Sequence, residues 1–246
     1  MSKKIAGGAD AIVLDVKVGD GAFMKTLDDG RALAETMIEL GTRAEREVVC
    51  LLTDMDQPLG RAVGNALELR EALATIRGEG PPDFAELVLS SVAHLLALSD
   101  LGIDEAEGRR RAEQAIADGS AVVAYERWIR AQGGEPAEDA LPVAPVRTEV
   151  LADRNGFVRS LGAIRIGVAA AHLGAGRRAK EDEIDHAVGI LCLKKRGDEV
   201  EAGEPLAEIH ARDEAAASEA TQQVAAAYEL GDEAPRSRSI ILEVVG

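Results

Sequence analysis

The sequence predicts an α/β protein: a mixed or parallel sheet flanked by helices, followed by a smaller α+β domain. Three observations carry this. Two short, β-branched, apolar runs at residues 11–16 and 47–52 each break into a polar or glycine-rich loop, as strands covered on both faces do. Each run is followed by a stretch of helical periodicity, and strand, helix, strand, loop, helix is the rhythm of a parallel sheet. Further on, Gly133-Gly134-Glu135-Pro136, Pro142 and Pro145 interrupt the chain as a linker. The predicted division is therefore residues 1–135, a linker at 136–146, and a second domain at 147–246.

In chain order, residues 1–8 read as the tail of a helix stopped by Gly7-Gly8. So short a helix is marginal by itself, which predicts that the chain starts inside an element. The run at 11–16 opens into Lys17-Val18-Gly19-Asp20-Gly21. Two glycines one residue apart permit backbone angles closed to other residues and let a ligand approach the main chain. In open α/β sheets, ligands sit beyond the carboxyl ends of strands, where this loop falls. A Gly-x-Gly after a strand is more often a tight turn than a phosphate cradle, and no full Gly-x-Gly-x-x-Gly follows. Asp28-Asp29 is placed to cap a helix running to about Leu40, with Leu33, Met37 and Leu40 on one face and Gly41 ending it. After the second strand and its loop, Thr53 to Asp56, a helix is predicted from about Asn65 to Ile76.

From Asp83 the pattern is helical. Phe84, Leu87, Val88, Val92, Leu95 and Leu96 form one apolar stripe, and two more helices follow at 104–117 and 121–131. Past the linker, 148–151 and 156–158 read as strands, 163–173 as a small-residue helix and 187–193 as a strand. Residues 197–206, Gly-Asp-Glu-Val-Glu-Ala-Gly-Glu-Pro-Leu, have the turn pattern of a lipoyl- or biotinyl-type hairpin, that is, of a barrel-sandwich hybrid. Such carriers need a lysine at the tip of their other hairpin, and His186-Ala187-Val188-Gly189 offers none. A helix at 215–228 and a strand at 240–245 close the chain.

Composition narrows the function classes. At 246 residues the chain can build real cores, but with aromatics at 2% they must be made of Ala, Val, Leu and Ile. A formal net charge of −16 opposes broad binding to nucleic acid or anionic membranes, which are held by dense Lys and Arg. No apolar run approaches the roughly 20 residues of a membrane helix, and no apolar stretch follows Lys3-Lys4 as in a secretory signal. Cys50 and Cys192 sit in separate apolar runs and read as buried free thiols, which suits a cytoplasmic protein. The four histidines show no metal-type spacing, and His94 reads as a satisfied helix residue. Asp54 and Asp56 read as turn formers, and Arg109-Arg110-Arg111 as a solvated helix face.

One long pattern remains. Asp-Val-Lys-Val-Gly-Asp-Gly-Ala-Phe at 15–23, Leu-Leu-Thr-Asp-Met-Asp-Gln-Pro-Leu-Gly-Arg at 51–61 and Val-Gly-Asn-Ala-Leu-Glu-Leu-Arg-Glu-Ala at 63–72 resemble the thymidine/pyrimidine-nucleoside phosphorylase family over nearly the whole chain. The resemblance implies phosphorolysis of a pyrimidine nucleoside, giving the free base and (deoxy)ribose 1-phosphate. It also implies that the chain corresponds to the C-terminal portion, with a truncated sheet. The catalytic histidine, the phosphate loop, and the serine and arginine on the base are expected upstream, so no catalytic residue is assigned here and the lone chain is expected to be inactive. One half of a split enzyme, or a non-catalytic assembly module, is the rival expectation.

Residue by residue, the resemblance implies that Lys3 contacts the pyrimidine and that Phe23 walls it. By spacing alone, Lys3 is a solvated helix-end lysine and Phe23 equally a core aromatic after a turn. Leu59, Ala62 and Glu71 match positions through which some members hold potassium, two carbonyls and a carboxylate being a sensible oxygen set for a hard cation. Phosphate is the implied co-substrate, no organic cofactor is implied, and homodimerisation through the upstream helical domain is expected.

Overall fold

The computed structural model describes residues 1–177 and 179–246. A five-residue helix α1 (Ser2–Ala6) precedes strand β1 (Ala11–Val18), helix α2 (Leu27–Arg43) and strand β2 (Glu47–Asp54). β1 and β2 are parallel, with Ala11 opposite Glu47 and Val18 opposite Asp54. Their inward side chains, Ile12, Leu14, Val16, Val18, Val48, Cys50 and Leu52, meet α2 in one apolar core.

The start of α2 differs from the sequence reading. Its cap is Thr26, whose hydroxyl accepts from the Asp29 N–H while the Asp29 carboxylate accepts from the Thr26 N–H, a reciprocal capping box. Nor does Gly41 end the helix. It lies buried in the last turns, where a Cβ would meet Val48 Cγ2 at 2.2 Å. Glycine is there for close packing on the sheet, so the helix continues through it. Leu40, expected on the apolar face, is 46% exposed.

After a two-residue strand β3 (Ala62–Val63) come four helices: α3 (Asn65–Ile76), α4 (Pro82–Ala97), α5 (Glu105–Ala117) and α6 (Ser120–Ala131). The buried face of α4 runs through Leu87, Ser90, Ala93 and His94 rather than Val92 and Leu95. The rotation follows from Gly108 of α5, which brings its backbone so close that a Cβ would lie 2.7 Å from the Ala93 carbonyl. Arg109 is likewise more than a solvated residue: it makes a bidentate pair with Glu86 of α4. His94 is buried with no hydrogen bond to Nε2, its closest acid being Glu105 at 3.7 Å. The expectation of a satisfied histidine is corrected, because helix packing brings no acceptor to that nitrogen among the described residues.

The second half contains β4 (Val146–Leu151), β5 (Gly156–Leu161), α7 (Ala163–Ala170), β6 (Gly189–Cys192), β7 (Glu199–Val200), β8 (Pro205–Ala211), α8 (Glu214–Ala225), β9 (Tyr228–Gly231) and β10 (Ile241–Val245). The sequence reading extended α8 to Tyr228; instead the helix stops and Tyr228 starts β9. Tyr228 donates to the Leu206 carbonyl at 2.8 Å, which anchors it in the sheet region. β3-β6-β8-β4 form one antiparallel sheet and β7-β5-β9 another. A core of Val, Leu, Ile and Ala lies between these strands and α7 and α8. The described sheets form no closed barrel.

β10 does not stay with its neighbours in sequence. It crosses back and pairs antiparallel with β2, completing the mixed sheet β1-β2-β10. β3 crosses the other way and pairs with β6. Both cysteines are buried and free, and among the described residues no helix is long and apolar enough to cross a membrane.

Candidate functional site

At the carboxyl end of β1, the Gly-x-Gly loop is clasped to the loop after β2. Gly19 has a φ of 125°, and a Cβ there would meet Asp56 Oδ1 at 2.4 Å. That same carboxylate oxygen accepts from the Asp20 N–H at 3.0 Å, and the Gly21 N–H donates to the Met55 carbonyl at 2.8 Å. Asp54 in turn accepts from the Asp56 N–H at 3.0 Å. Burial raises the Asp54 carboxyl above its usual range. The two acids are turn formers, as their position after a strand predicts.

The loop ends at Phe23, which is 98% exposed. This rules out the core-aromatic reading. The ring stands at the wall of a cavity of about 660 Å³, lined also by Lys4, Leu14, Lys17, Met24 and Leu33. Lys3 is exposed on α1 and does not line that cavity, whereas Lys4 does. No residue of α1 is buried.

A second cavity, of about 580 Å³, is lined by Leu59, Ala62 and Glu71 together with Lys17, Met55 and Pro58. The three residues of the expected cation set are therefore brought around one space. Glu71 is engaged there: its Oε1 accepts from the Arg61 N–H at 2.8 Å and the Ala62 N–H at 3.1 Å. Gly60 is required beside it, since a Cβ would lie 2.1 Å from Glu71 Oε2. Burial raises the Glu71 carboxyl, opposed by the two amide donors and by the nearby Lys195 ammonium. In charge and donor type the residues present suit a hard monovalent cation.

Lys17 lines both cavities. Its ammonium pairs with Asp15 at 2.6 Å, and Asp15 accepts from the Thr53 hydroxyl at 2.5 Å. Sequence reasoning passed over this trio. The signal was present: Asp15 and Lys17 are charged residues two apart in an otherwise apolar strand, and period two puts both on one face. Across the register, Lys17 faces Thr53.

Residues 1–122 match the model of the glycosyl transferase family a/b domain, and residues 157–231 that of the pyrimidine nucleoside phosphorylase C-terminal domain. The chain is 49% identical over 218 residues to a pyrimidine-nucleoside phosphorylase of Staphylococcus haemolyticus (strain JCSC1435), an alignment covering 87% of this chain and 50% of the relative. It is 49% identical over 214 residues to pyrimidine-nucleoside phosphorylases of Staphylococcus aureus strains USA300 and N315, covering 85% of this chain and 49% of each relative. The chain thus spans about half the length of the curated relatives it matches. Two family models falling on successive parts of one chain, together with 49% identity to pyrimidine-nucleoside phosphorylases over most of its length, make this chain a member of the pyrimidine-nucleoside phosphorylase family.

Proposed function

We propose that the chain contributes the base-side part of a site for phosphorolysis of pyrimidine nucleosides. The observation that carries this is the exposed Phe23 ring at the mouth of a cavity with lysines on its walls, an arrangement for an aromatic ligand that gains negative charge. In the reaction, phosphate attacks the anomeric carbon as the glycosidic bond breaks, and the bonding electrons leave with the base. A placed ammonium then stabilises the departing pyrimidine more than the bound nucleoside, which is what accelerates the step.

By family likeness Lys3 is that ammonium, and Phe23 walls the base. Leu59, Ala62 and Glu71, which line one cavity, would hold potassium through two main-chain carbonyls and a carboxylate. The functional protein is a cytoplasmic homodimer in this reading. Residues 1–135 belong to the catalytic α/β domain and 147–246 to a C-terminal domain of barrel-sandwich type, joined by 136–146.

The test is phosphate-dependent release of thymine or uracil by this chain, alone and mixed with the upstream half of the Staphylococcus haemolyticus relative. Release only from the mixture supports the reading; none from a mixture shown to associate sinks it. In the active mixture, Lys3→Met is expected to lower kcat about a hundredfold, the scale for losing one transition-state donor, and Lys4→Met to change it only a few-fold. The reverse order transfers the role to Lys4, which already lines the cavity.

A further inference from the structure

The turn between β6 and β7 lies against the loop that leads into β3, the neighbour of β6 in its sheet. Lys195, in that turn, donates its ammonium protons to the main-chain carbonyls of Pro58 and Gly60 and, at 3.2 Å, to the Asp83 carboxylate. Its side chain is only 15% exposed. The next residue docks as well, the Arg196 N–H donating to the Gln57 side-chain oxygen at 2.9 Å. Asp83 also accepts from the Gly60 N–H at 3.2 Å, and Glu71 takes the two amides that follow. Two carbonyl oxygens and a carboxylate therefore converge on one point, with a second carboxylate nearby. Converging oxygens repel one another in a partly dry site unless a cation sits among them.

Lys194 shows that this is not a general habit of the turn. It pairs with Glu204 at 2.5 Å and donates to the Glu199 carbonyl at 3.2 Å, both on its own side. Of two adjacent lysines, one stays home and one crosses.

We propose that Lys195 is a tethered cation: its ammonium fills an oxygen nest made by Pro58, Gly60 and Asp83, and so holds the loop that presents Leu59 and Ala62 to the cavity beside Glu71 of α3. It is a positioning residue, acting through the loop's backbone, and it gives the second half of the chain a direct hold on the candidate site. Its relevance to nucleoside chemistry rests on the function proposed above, whereas the docking itself does not. The ligands are those an alkali or ammonium ion takes, so an empty nest should accept a free ammonium ion.

Two measurements on this chain decide it, neither involving phosphorolysis. In competitive acylation of the wild-type chain read by mass spectrometry, Lys195 is expected to react at least tenfold more slowly than the exposed Lys3. In hydrogen exchange, Lys195→Ala is expected to speed the Arg61 and Ala62 amides at least tenfold, with ammonium chloride restoring them and tetramethylammonium chloride at equal concentration failing to. Lys194→Ala should leave those amides at their wild-type rates. Acylation of Lys195 as fast as Lys3, wild-type exchange in Lys195→Ala, or equal restoration by both salts overturns the proposal. Should the Ala variant not fold, the acylation ratio in the wild-type chain decides alone.

Discussion

At the scale of single residues, exposure separates roles that spacing leaves merged. Phe23 projects almost wholly into solvent at a cavity wall, so Phe23→Ala should change the stability of this chain by no more than roughly 0.5 kcal/mol, as surface changes do. A core phenylalanine would cost about 3–5 kcal/mol, and a urea titration tells the two apart. His210 is the opposite case, 4% exposed in β8. Burial holds its imidazole below the ordinary 6.5, helped by the Arg147 and Arg70 guanidiniums and opposed by the Glu208 carboxylate 2.6 Å from Nε2. The unfolded chain therefore takes a proton that the folded chain resists. That stability is present above pH 6.5 and is lost as pH falls through and below it. The urea midpoint should fall between pH 7.5 and 5.5, by less in His210→Gln; equal falls in both proteins would refute the assignment.

At the scale of elements, close approach decides what local preference cannot. Glycine within a helix is ordinarily improved by alanine, by up to about 1 kcal/mol. At Gly41 the opposite is expected, because a Cβ would press on Val48 Cγ2. Gly41→Ala should destabilise by about 1–3 kcal/mol, the usual cost of overpacking, and the double variant Gly41→Ala, Val48→Ala should recover part of it. A stabilised single variant would mean that α2 and β2 stand further apart than described. The same logic runs through Gly108 at the α4–α5 crossing, where the Ala93 carbonyl occupies the room a side chain would need.

For the whole molecule, the chain's two ends are joined by one sheet. β10 covers the free edge of β2, and Arg31 of α2 grips Glu243 with two nitrogens, at 3.0 and 2.7 Å. Just before it, Arg238 pairs with the Asp56 carboxylate that also fixes the Gly-x-Gly loop. Deleting residues 239–246 should lower Tm by about 10 °C, given that 1 kcal/mol is worth roughly 2–4 °C at this size. It should also promote concentration-dependent association through the uncovered β2 edge. An unchanged Tm would show that β10 is an ornament of the sheet rather than part of it.

The sequence by itself determined what depends on neighbours along the chain. The β-branched runs became β1 and β2 in parallel, the helix at Asn65–Ile76 fell where its periodicity put it, and the scarcity of aromatics predicted the aliphatic cores that are seen. The long motifs also sufficed to place the chain in its family. Tertiary structure alone decided the rest. Which edge β10 joins, which side of α4 is buried, that Phe23 faces solvent, and that Lys195 crosses to the Pro58–Gly60 carbonyls all depend on residues far away in sequence. Periodicity records which face of an element is apolar, but the partner of that face, and the charge brought to a loop's oxygens, are set by packing between distant segments.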